Sequence, residues 1–127
     1  MGANSRTGPI LSGSSELIRL RDLNARFVKF RSPSAIGKVS DLADAQGVLF
    51  LCPKCFAANG GAAGTHSVIC WFKDRGVPDD MSPKPGRWTP SGTGIDDLTF
   101  VGPGAASVQL TGPGCGWHGF VRNGSAE

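Results

Sequence analysis

The chain has 127 residues, of which 39% are apolar and 18% charged, and it contains 19 glycines and 9 prolines. This length suits one domain, and the frequent glycine and proline disfavour long helices. No stretch approaches the roughly 18 apolar residues of a bilayer-spanning helix, and the polar start at Met1–Arg6 lacks the apolar segment of a signal peptide. We therefore expect a cytosolic origin, where CxxC is typical of metal-binding or redox chemistry rather than of a structural disulfide.

Charge is unevenly distributed along the chain. Residues 1–40 hold seven basic and two acidic residues, a net charge of +5, whereas the remainder has six basic and eight acidic residues, a net charge of −2. An acidic partner is expected to meet the N-terminal third, although a solvated basic face is the alternative. The candidate partner-binding residues are Arg19, Arg21, Arg26, Lys29 and Arg31.

The first half of the chain predicts short elements. Residues 1–15 are small and polar and predict a flexible N-terminal arm, which leaves residues 16–127 as a single domain. Residues 16–31 fit either strands or a helical face, and strands are favoured because turn chemistry follows. Ser40 is expected to cap a short helix over Asp41–Gln46, and Val48–Leu51 predicts a strand that leads directly into Cys52.

The second half predicts further strands separated by turns. Residues 57–64 are rich in glycine and alanine and predict a flexible loop, and the proline-rich residues 73–94 predict a long surface excursion of the kind that often binds a partner. The predicted strands cover residues 65–72, 98–101, 107–110 and 119–122, with turns at 111–114 and 123–124. The expected fold is mainly β, a small antiparallel sheet or sandwich with zinc-ribbon-like knuckles and little helix.

Two motifs carry the strongest chemical signal, Cys52-Pro-Lys-Cys55 and Cys115-Gly-Trp-His118. Together they supply three sulfurs and one imidazole, the set that closes a tetrahedral structural zinc site. The first motif follows a predicted strand, and glycines around the second permit the tight backbone of a knuckle. The sequence therefore predicts a structural zinc ion held by Cys52, Cys55, Cys115 and His118, with free thiols or another ligand set as alternatives.

His66 and Cys70 are weaker candidates for the same site. They share one face of the strand predicted over residues 65–72, where a rise of about 3.3 Å per residue separates their Cα atoms by roughly 13 Å. That distance excludes joint binding of one metal and a nucleophile–base pair between them. Cys70 is interpreted as a small buried hydrophobic residue and His66 as a surface residue; whether either replaces a predicted ligand stays open.

Catalytic chemistry has little support in the sequence. A thioredoxin-like role for Cys52 and Cys55 requires a helix that opens at the motif, and the glycines that follow interrupt one. A Rieske cluster needs a second cysteine–histidine half, which the first motif does not provide. Four protein ligands leave no open metal position, so zinc is expected to be structural and the chain not to be an enzyme.

Five blocks of sequence together resemble a known kind of protein: Phe50–Cys55, His66–Trp71, Arg87-Trp88, Leu98–Phe100 and Cys115–Gly124. Over residues 48–124 the chain resembles small uncharacterised zinc-binding β-domain proteins encoded by tailed bacteriophages and prophages, and the last block is the most specific. The resemblance implies a zinc-bound β domain of phage origin without established enzymatic activity. The chain departs from the pattern in its single CxxC and its basic N-terminal extension.

The leading functional hypothesis is a phage structural or assembly protein, such as a head or tail accessory component of the virion. The arm and the loops at 57–64 and 73–94 would bind other structural proteins or copies of this chain. The alternative is a nucleic-acid-binding zinc ribbon, which the basic N-terminal third and Lys54 favour; a metal-dependent enzyme is the third hypothesis. We expect neither a membrane nor a small-molecule substrate as partner, and a location in the bacterial host cytoplasm or the virion.

Overall fold

The computed structural model of the chain describes residues 17–32, 35–83, 86–101, 107–110 and 115–127. The predicted N-terminal arm and the predicted turn at 111–114 lie outside these residues. Within them the fold is mainly β, as predicted, with strands that pair antiparallel in several small sheets. The strands are β1 (Ile18–Arg19), β2 (Arg26–Ser32), β3 (Ala35–Val39), β4 (Gly47–Leu51), β5 (Ser67–Trp71), β6 (Thr89–Ser91), β7 (Thr99–Val101), β8 (Val108–Gln109), β9 (His118–Gly119), β10 (Val121–Arg122) and β11 (Ser125–Ala126), and the α-helix is α1 (Pro53–Asn59).

The largest sheet has four antiparallel strands in the order β3-β2-β4-β5. Apolar and β-branched residues recur at alternate positions of β4 and β5, as expected of a strand with one face on the core. Phe27 of β2 pairs with Val48 of β4, and Val48 pairs in turn with Cys70 of β5, so these three side chains share the core face. The last pair of the β4–β5 ladder, Leu51 with Ser67, sets Cys52 and His66 next to each other.

Three smaller sheets complete the described structure, with orders β1-β11-β10, β6-β7 and β8-β9. The β10–β11 hairpin turns at Asn123-Gly124, with φ values of 50° and 76°, the left-handed pair that a two-residue hairpin turn requires. This turn packs on two other segments, because Leu20 donates to the Gly124 carbonyl at 2.8 Å and Gly124 donates to the Leu98 carbonyl at 2.9 Å.

One apolar core joins the central sheet to the smaller sheets. It contains sheet residues such as Phe27, Val48 and Phe50, and it extends to Trp117 and Val121 from the C-terminal strands. The opposite face of the central sheet buries Val28 and Trp71. The Trp71 indole N–H donates to the Ser82 carbonyl at 2.9 Å, which ties the segment after β5 to that face.

One arginine organises part of the segment that was predicted as a long surface excursion. The Arg87 guanidinium donates to the carbonyls of Pro78, Met81, Pro83 and Gly86 at 2.8–3.0 Å. Since one planar group satisfies four carbonyls, the polypeptide around it needs no regular ladder. The segment also contains β6, which the sequence analysis did not predict.

Local structure departs from prediction at three places. The helix expected over Asp41–Gln46 is a single 3₁₀ turn, Leu42–Asp44, and residues 16–31 contain a 3₁₀ turn, Leu20–Leu23, beside the expected strands. The CxxC motif opens an α-helix, in which Pro53 occupies the first turn and loses no hydrogen bond there. Gly60 ends this helix at φ 70°, so alanines 57 and 58 belong to the helix rather than to the predicted loop.

Candidate metal centre

Three cysteines and one histidine lie together at one end of the central sheet. The Sγ atoms of Cys52, Cys55 and Cys115 and a ring nitrogen of His66 all lie within 4.8 Å of one another. Three sulfurs and one imidazole nitrogen form a ligand set that zinc prefers in closed, four-coordinate sites. The group is therefore able to hold a metal ion.

The first two ligands come from the junction of β4 and α1. Cys52 follows β4 directly and is fully buried, and its carbonyl accepts the first helical hydrogen bond, from Phe56 at 2.9 Å. Cys55 lies three residues further along the helix and is half-buried. The helical turn brings residues i and i+3 to one side of the backbone, so both thiols face the same point.

His66 enters the group because β5 runs antiparallel to β4. The Cys52 amide donates to the His66 carbonyl at 2.9 Å, which continues the ladder beyond the two strands. The His66 Nε2 lies 3.4 Å from the Cys115 sulfur, and its Nδ1 lies 3.4 Å from the Ser67 carbonyl. A proton on Nδ1 would leave Nε2 free as the ligand atom, an arrangement that metal-binding histidines usually adopt.

Cys115 is held in the group by its own contacts and by the packing of Trp117. Its sulfur lies 3.4 Å from that of Cys52, and its carbonyl accepts a hydrogen bond from the Lys54 ammonium at 2.7 Å. Two residues later Trp117 is buried edge-on against Phe50, with ring centroids 6.0 Å apart. The side chain of Trp117 thus anchors the backbone that carries Cys115.

The three thiols differ in acidity because they differ in burial and in the hydrogen bonds that they receive. Burial, together with the neighbouring Cys115, raises the pKa of Cys52 to about 12. Desolvation also raises the pKa of Cys55. At Cys115 desolvation works in the same direction, but hydrogen bonds from His66, the Trp117 backbone and the other two thiols outweigh it and lower the pKa to about 6. Without a cation the group favours one thiolate, and a divalent metal would ionise the other two.

The structure does not bring the fourth ligand predicted from the sequence into the group. His118 lies outside the group, on β9, where it pairs with Gln109 and is exposed. The physical reason is the alternation of a strand: Trp117 and Gly119 are buried, so the side chain between them faces solvent. The other three predicted ligands, Cys52, Cys55 and Cys115, do lie together.

Part of the signal for His66 was present in the sequence. The strands predicted over residues 48–51 and 65–72 are consecutive, but a connection of this length allows either a parallel or an antiparallel pair. The structure shows an antiparallel pair. In such a pair the residue after the first strand lies beside the residue before the second. The strand predicted over residues 65–72 contains His66, and that prediction relates His66 to Cys70 along one strand rather than to Cys52 across two.

Cys70 is a core residue, as predicted. It is fully buried in the middle of β5, lies outside the cysteine–histidine group, and burial alone raises its pKa. The distance argument against a joint site of His66 and Cys70 agrees with this placement.

The candidate partner-binding cations are dispersed. Arg21 forms a bidentate ion pair with Asp96, with contacts of 3.0 Å and 2.6 Å, and Arg26 donates to the Asn24 carbonyl at 3.0 Å. Arg19 lines a small polar cleft beside Arg21, whereas Arg26, Lys29 and Arg31 lie on β2. The five residues therefore belong to two segments of the chain.

Two chemical alternatives to a metal site arise from the same atoms. Cys115 and His66 are as close as a nucleophile and its general base. The CxxC motif opens α1, as a thioredoxin-like redox site requires. The remaining thiols lie within 4.8 Å of that pair, where a hydrolase would instead leave space for a substrate. Four convergent ligand atoms favour metal binding over both.

Comparisons with known proteins do not assign the chain to a family. No protein-family model, no curated protein and no solved structure matches the chain. Among the described residues, no helix is long and apolar enough to cross a membrane.

Proposed function

We propose that Cys52, Cys55, His66 and Cys115 bind one structural zinc ion, and that the protein is a non-catalytic binding protein built around this site. The observation that carries the proposal is the mutual distance of the four ligand atoms, all within 4.8 Å. Thiolate and imidazole ligands select zinc over the hard cations magnesium and calcium. Four protein ligands fill a tetrahedral shell, which leaves no position for a reacting water.

The contacts around the four ligands support a structural role. Lys54 places a positive charge beside Cys115, where it offsets the net negative charge that three thiolates and a neutral imidazole give to a zinc site. The ligands come from the junction of β4 and α1, from the residue before β5 and from the segment before β9. The β4–β5 ladder already joins the first two, so one ion would mainly attach the segment of Cys115 to that end of the central sheet.

Metal content of matched histidine variants tests the ligand set. We expect about one zinc per chain in the wild type and in His118→Ala, and a reduction of zinc affinity by 10-fold or more in His66→Ala. Cobalt substitution gives a second readout, because the visible bands of tetrahedral cobalt should change in His66→Ala only. Loss of zinc in His118→Ala with retention in His66→Ala would contradict the ligand set.

We further propose that the protein acts in phage particle assembly, as a virion component that binds other structural proteins or itself. Two observations support this role: the resemblance over residues 48–124, and the exposure of Leu17, Ile36 and Val101 on short strands and their edges. Co-fractionation with purified virions, and the mass of the isolated protein by light scattering, test it. A strict monomer that never accompanies particles would contradict it.

A second candidate function is nucleic-acid binding by the β2–β3 hairpin. Residues 26–39 contain four basic and no acidic residues. β2 pairs with β4 only over Arg26–Val28, so the rest of β2 has β3 as its ladder partner and lies beyond the end of the β2–β4 ladder. A two-stranded ribbon fits the major groove of DNA. The double change Lys29→Ser and Arg31→Ser should weaken binding and reduce its salt dependence, whereas Arg122→Ser serves as the control. No binding at low salt would remove this candidate.

A further inference from the structure

The contact between Cys52 and Cys115 is closer than a zinc site alone requires. Their sulfurs lie 3.4 Å apart, whereas two thiolates on one tetrahedral zinc, each about 2.3 Å from it, lie nearer to 3.8 Å from each other. A disulfide bond needs the two sulfurs to approach by about 1.4 Å more, to roughly 2.05 Å. The same pair can therefore serve a metal or a covalent bond.

The two cysteines also differ in access. Cys52 is fully buried, while Cys115, like Cys55, is half-buried. Within the contacting pair, an oxidant that arrives from solvent meets Cys115 before Cys52, and the sulfenic acid formed there has Cys52 as a neighbour within contact distance. This is the geometry of an attacked thiol with a resolving thiol beside it.

We propose that Cys52 and Cys115 form a peroxide-sensitive modification site, in which oxidation links the two sulfurs and releases the metal. The Cys115 thiolate attacks one oxygen of hydrogen peroxide, the O–O bond breaks, and hydroxide leaves. The Cys52 thiolate then attacks the sulfur of the Cys115 sulfenic acid, the S–S bond forms as the S–O bond breaks, and a second hydroxide leaves. Two thiolates lose two electrons, and peroxide with two protons becomes two molecules of water.

Metal release follows from the loss of two ligands. Cys55 and His66 remain, and two protein ligands do not retain zinc in a structural site. The disulfide joins positions 63 residues apart, so it connects α1 to the segment before β9, as the metal does. Oxidation would therefore exchange one link between these parts of the chain for another, rather than free the C-terminal strands.

This inference rests on the proposed zinc site for metal release only, since the disulfide needs no more than the two thiols. The test uses the full chain with hydrogen peroxide, a chromogenic chelator that reports free zinc, and peptide mapping of the linked cysteines. We expect a Cys52–Cys115 linkage, a mass lower by two hydrogen atoms, and release of the bound zinc in step with it. Reduction by dithiothreitol with added zinc should restore the starting state.

Two variants keep the result interpretable. Cys55→Ser retains the pair and should form the same linkage when oxidised without metal, and Cys70→Ala should behave as the wild type throughout. A Cys52–Cys55 linkage, or overoxidation of Cys115 without a disulfide, would overturn the proposal. A protein that forms the expected linkage but binds no zinc would refute the proposed metal site and leave the Cys52–Cys115 pair established. A protein that binds zinc but does not form the linkage would refute the Cys52–Cys115 pair and leave the metal site established.

Discussion

The central sheet and the C-terminal residues 115–127 are built from strands of very different length. Strands β2 to β5 have five to seven residues each, whereas β9, β10 and β11 have two each. Long strands supply their own hydrogen-bond ladder and bury one face on a shared core. Two-residue strands form too few hydrogen bonds and bury too little apolar surface to offset the entropy that is lost when the chain is ordered.

The short strands are instead held by contacts at particular points. Cys115 lies in the cysteine–histidine group, Trp117 packs on Phe50, and the turn at Gly124 bonds to Leu20 and Leu98. The comparison indicates that the sheet is held by a continuous ladder and a shared core, and the C-terminal segment by contacts at a few positions. Each of the following changes affects one region more than the other.

Metal removal is expected to have the largest effect. Structural zinc contributes about 10–16 kcal/mol of apparent binding free energy in small zinc domains, more than any single side chain contributes. After chelation, residues 115–127 should lose amide-exchange protection, while β2, β4 and β5 keep part of theirs. Hydrogen exchange read by mass spectrometry measures this. Equal loss in both regions would show that the sheet depends on the metal as well.

Truncation of a core side chain in the central sheet should affect the sheet more than the cysteine–histidine group. Phe27 is buried and lies across from Val39 and Val48, so Phe27→Ala should lower the unfolding free energy by about 3–5 kcal/mol. Zinc content should stay at one per chain, because no ligand adjoins Phe27 in the ladder. Denaturant unfolding and metal analysis measure the two quantities, with Val101→Ala, at an exposed position, as the control.

The sequence predicted the sheet region better than the cysteine–histidine group, for a physical reason. Strands such as 48–51 and 65–72 have an alternating or apolar composition, which depends on neighbouring residues alone. The ligand at His66 depends on which strands pair, a long-range property that composition does not contain. The CxxH spacing at Cys115 suggested a local solution, and local spacing was misleading because β9 turns His118 outward.

The helix at the first motif was missed for a related reason. Glycines 60 and 61 were taken to break any helix after Cys55, whereas Gly60 only ends it after seven residues. A glycine marks where a helix stops, and it does not exclude a helix before it. By contrast, a turn at Asn123-Gly124 was predicted because that dipeptide specifies its own conformation, although the strand after it, β11, was not.

A glycine substitution probes the attachment of the C-terminal hairpin. Gly124 has φ 76°, and a Cβ there would overlap the Asp96 carbonyl, whereas Gly60 has φ 70° and open space around its Cβ position. Gly60→Ala should therefore report backbone strain alone, about 1 kcal/mol. Gly124→Ala should cost more, up to about 3 kcal/mol, because the hairpin must move away from Leu98. Equal changes in melting temperature for Gly60→Ala and Gly124→Ala would show that the backbone at Asp96 moves away from the new Cβ at little energetic cost.

The smallest effect is expected at Asp97, on the loop that leads into β7. Hydrogen bonds from the Thr93 and Gly94 amides and the Thr93 hydroxyl lower the pKa of its carboxyl group below the ordinary value of 3.8. A lowered folded-state pKa gives stability that is complete above the unfolded-state pKa and is lost as the pH falls below it. The difference in melting temperature between wild type and Asp97→Asn should thus be small and constant from about pH 8 to pH 5.

Over the same range the metal-dependent part of stability should fall, since protons compete with zinc for the thiolates. Thermal melts of both proteins with and without zinc separate the two dependences, and a difference that shrinks with the metal would place Asp97 in the metal-dependent region.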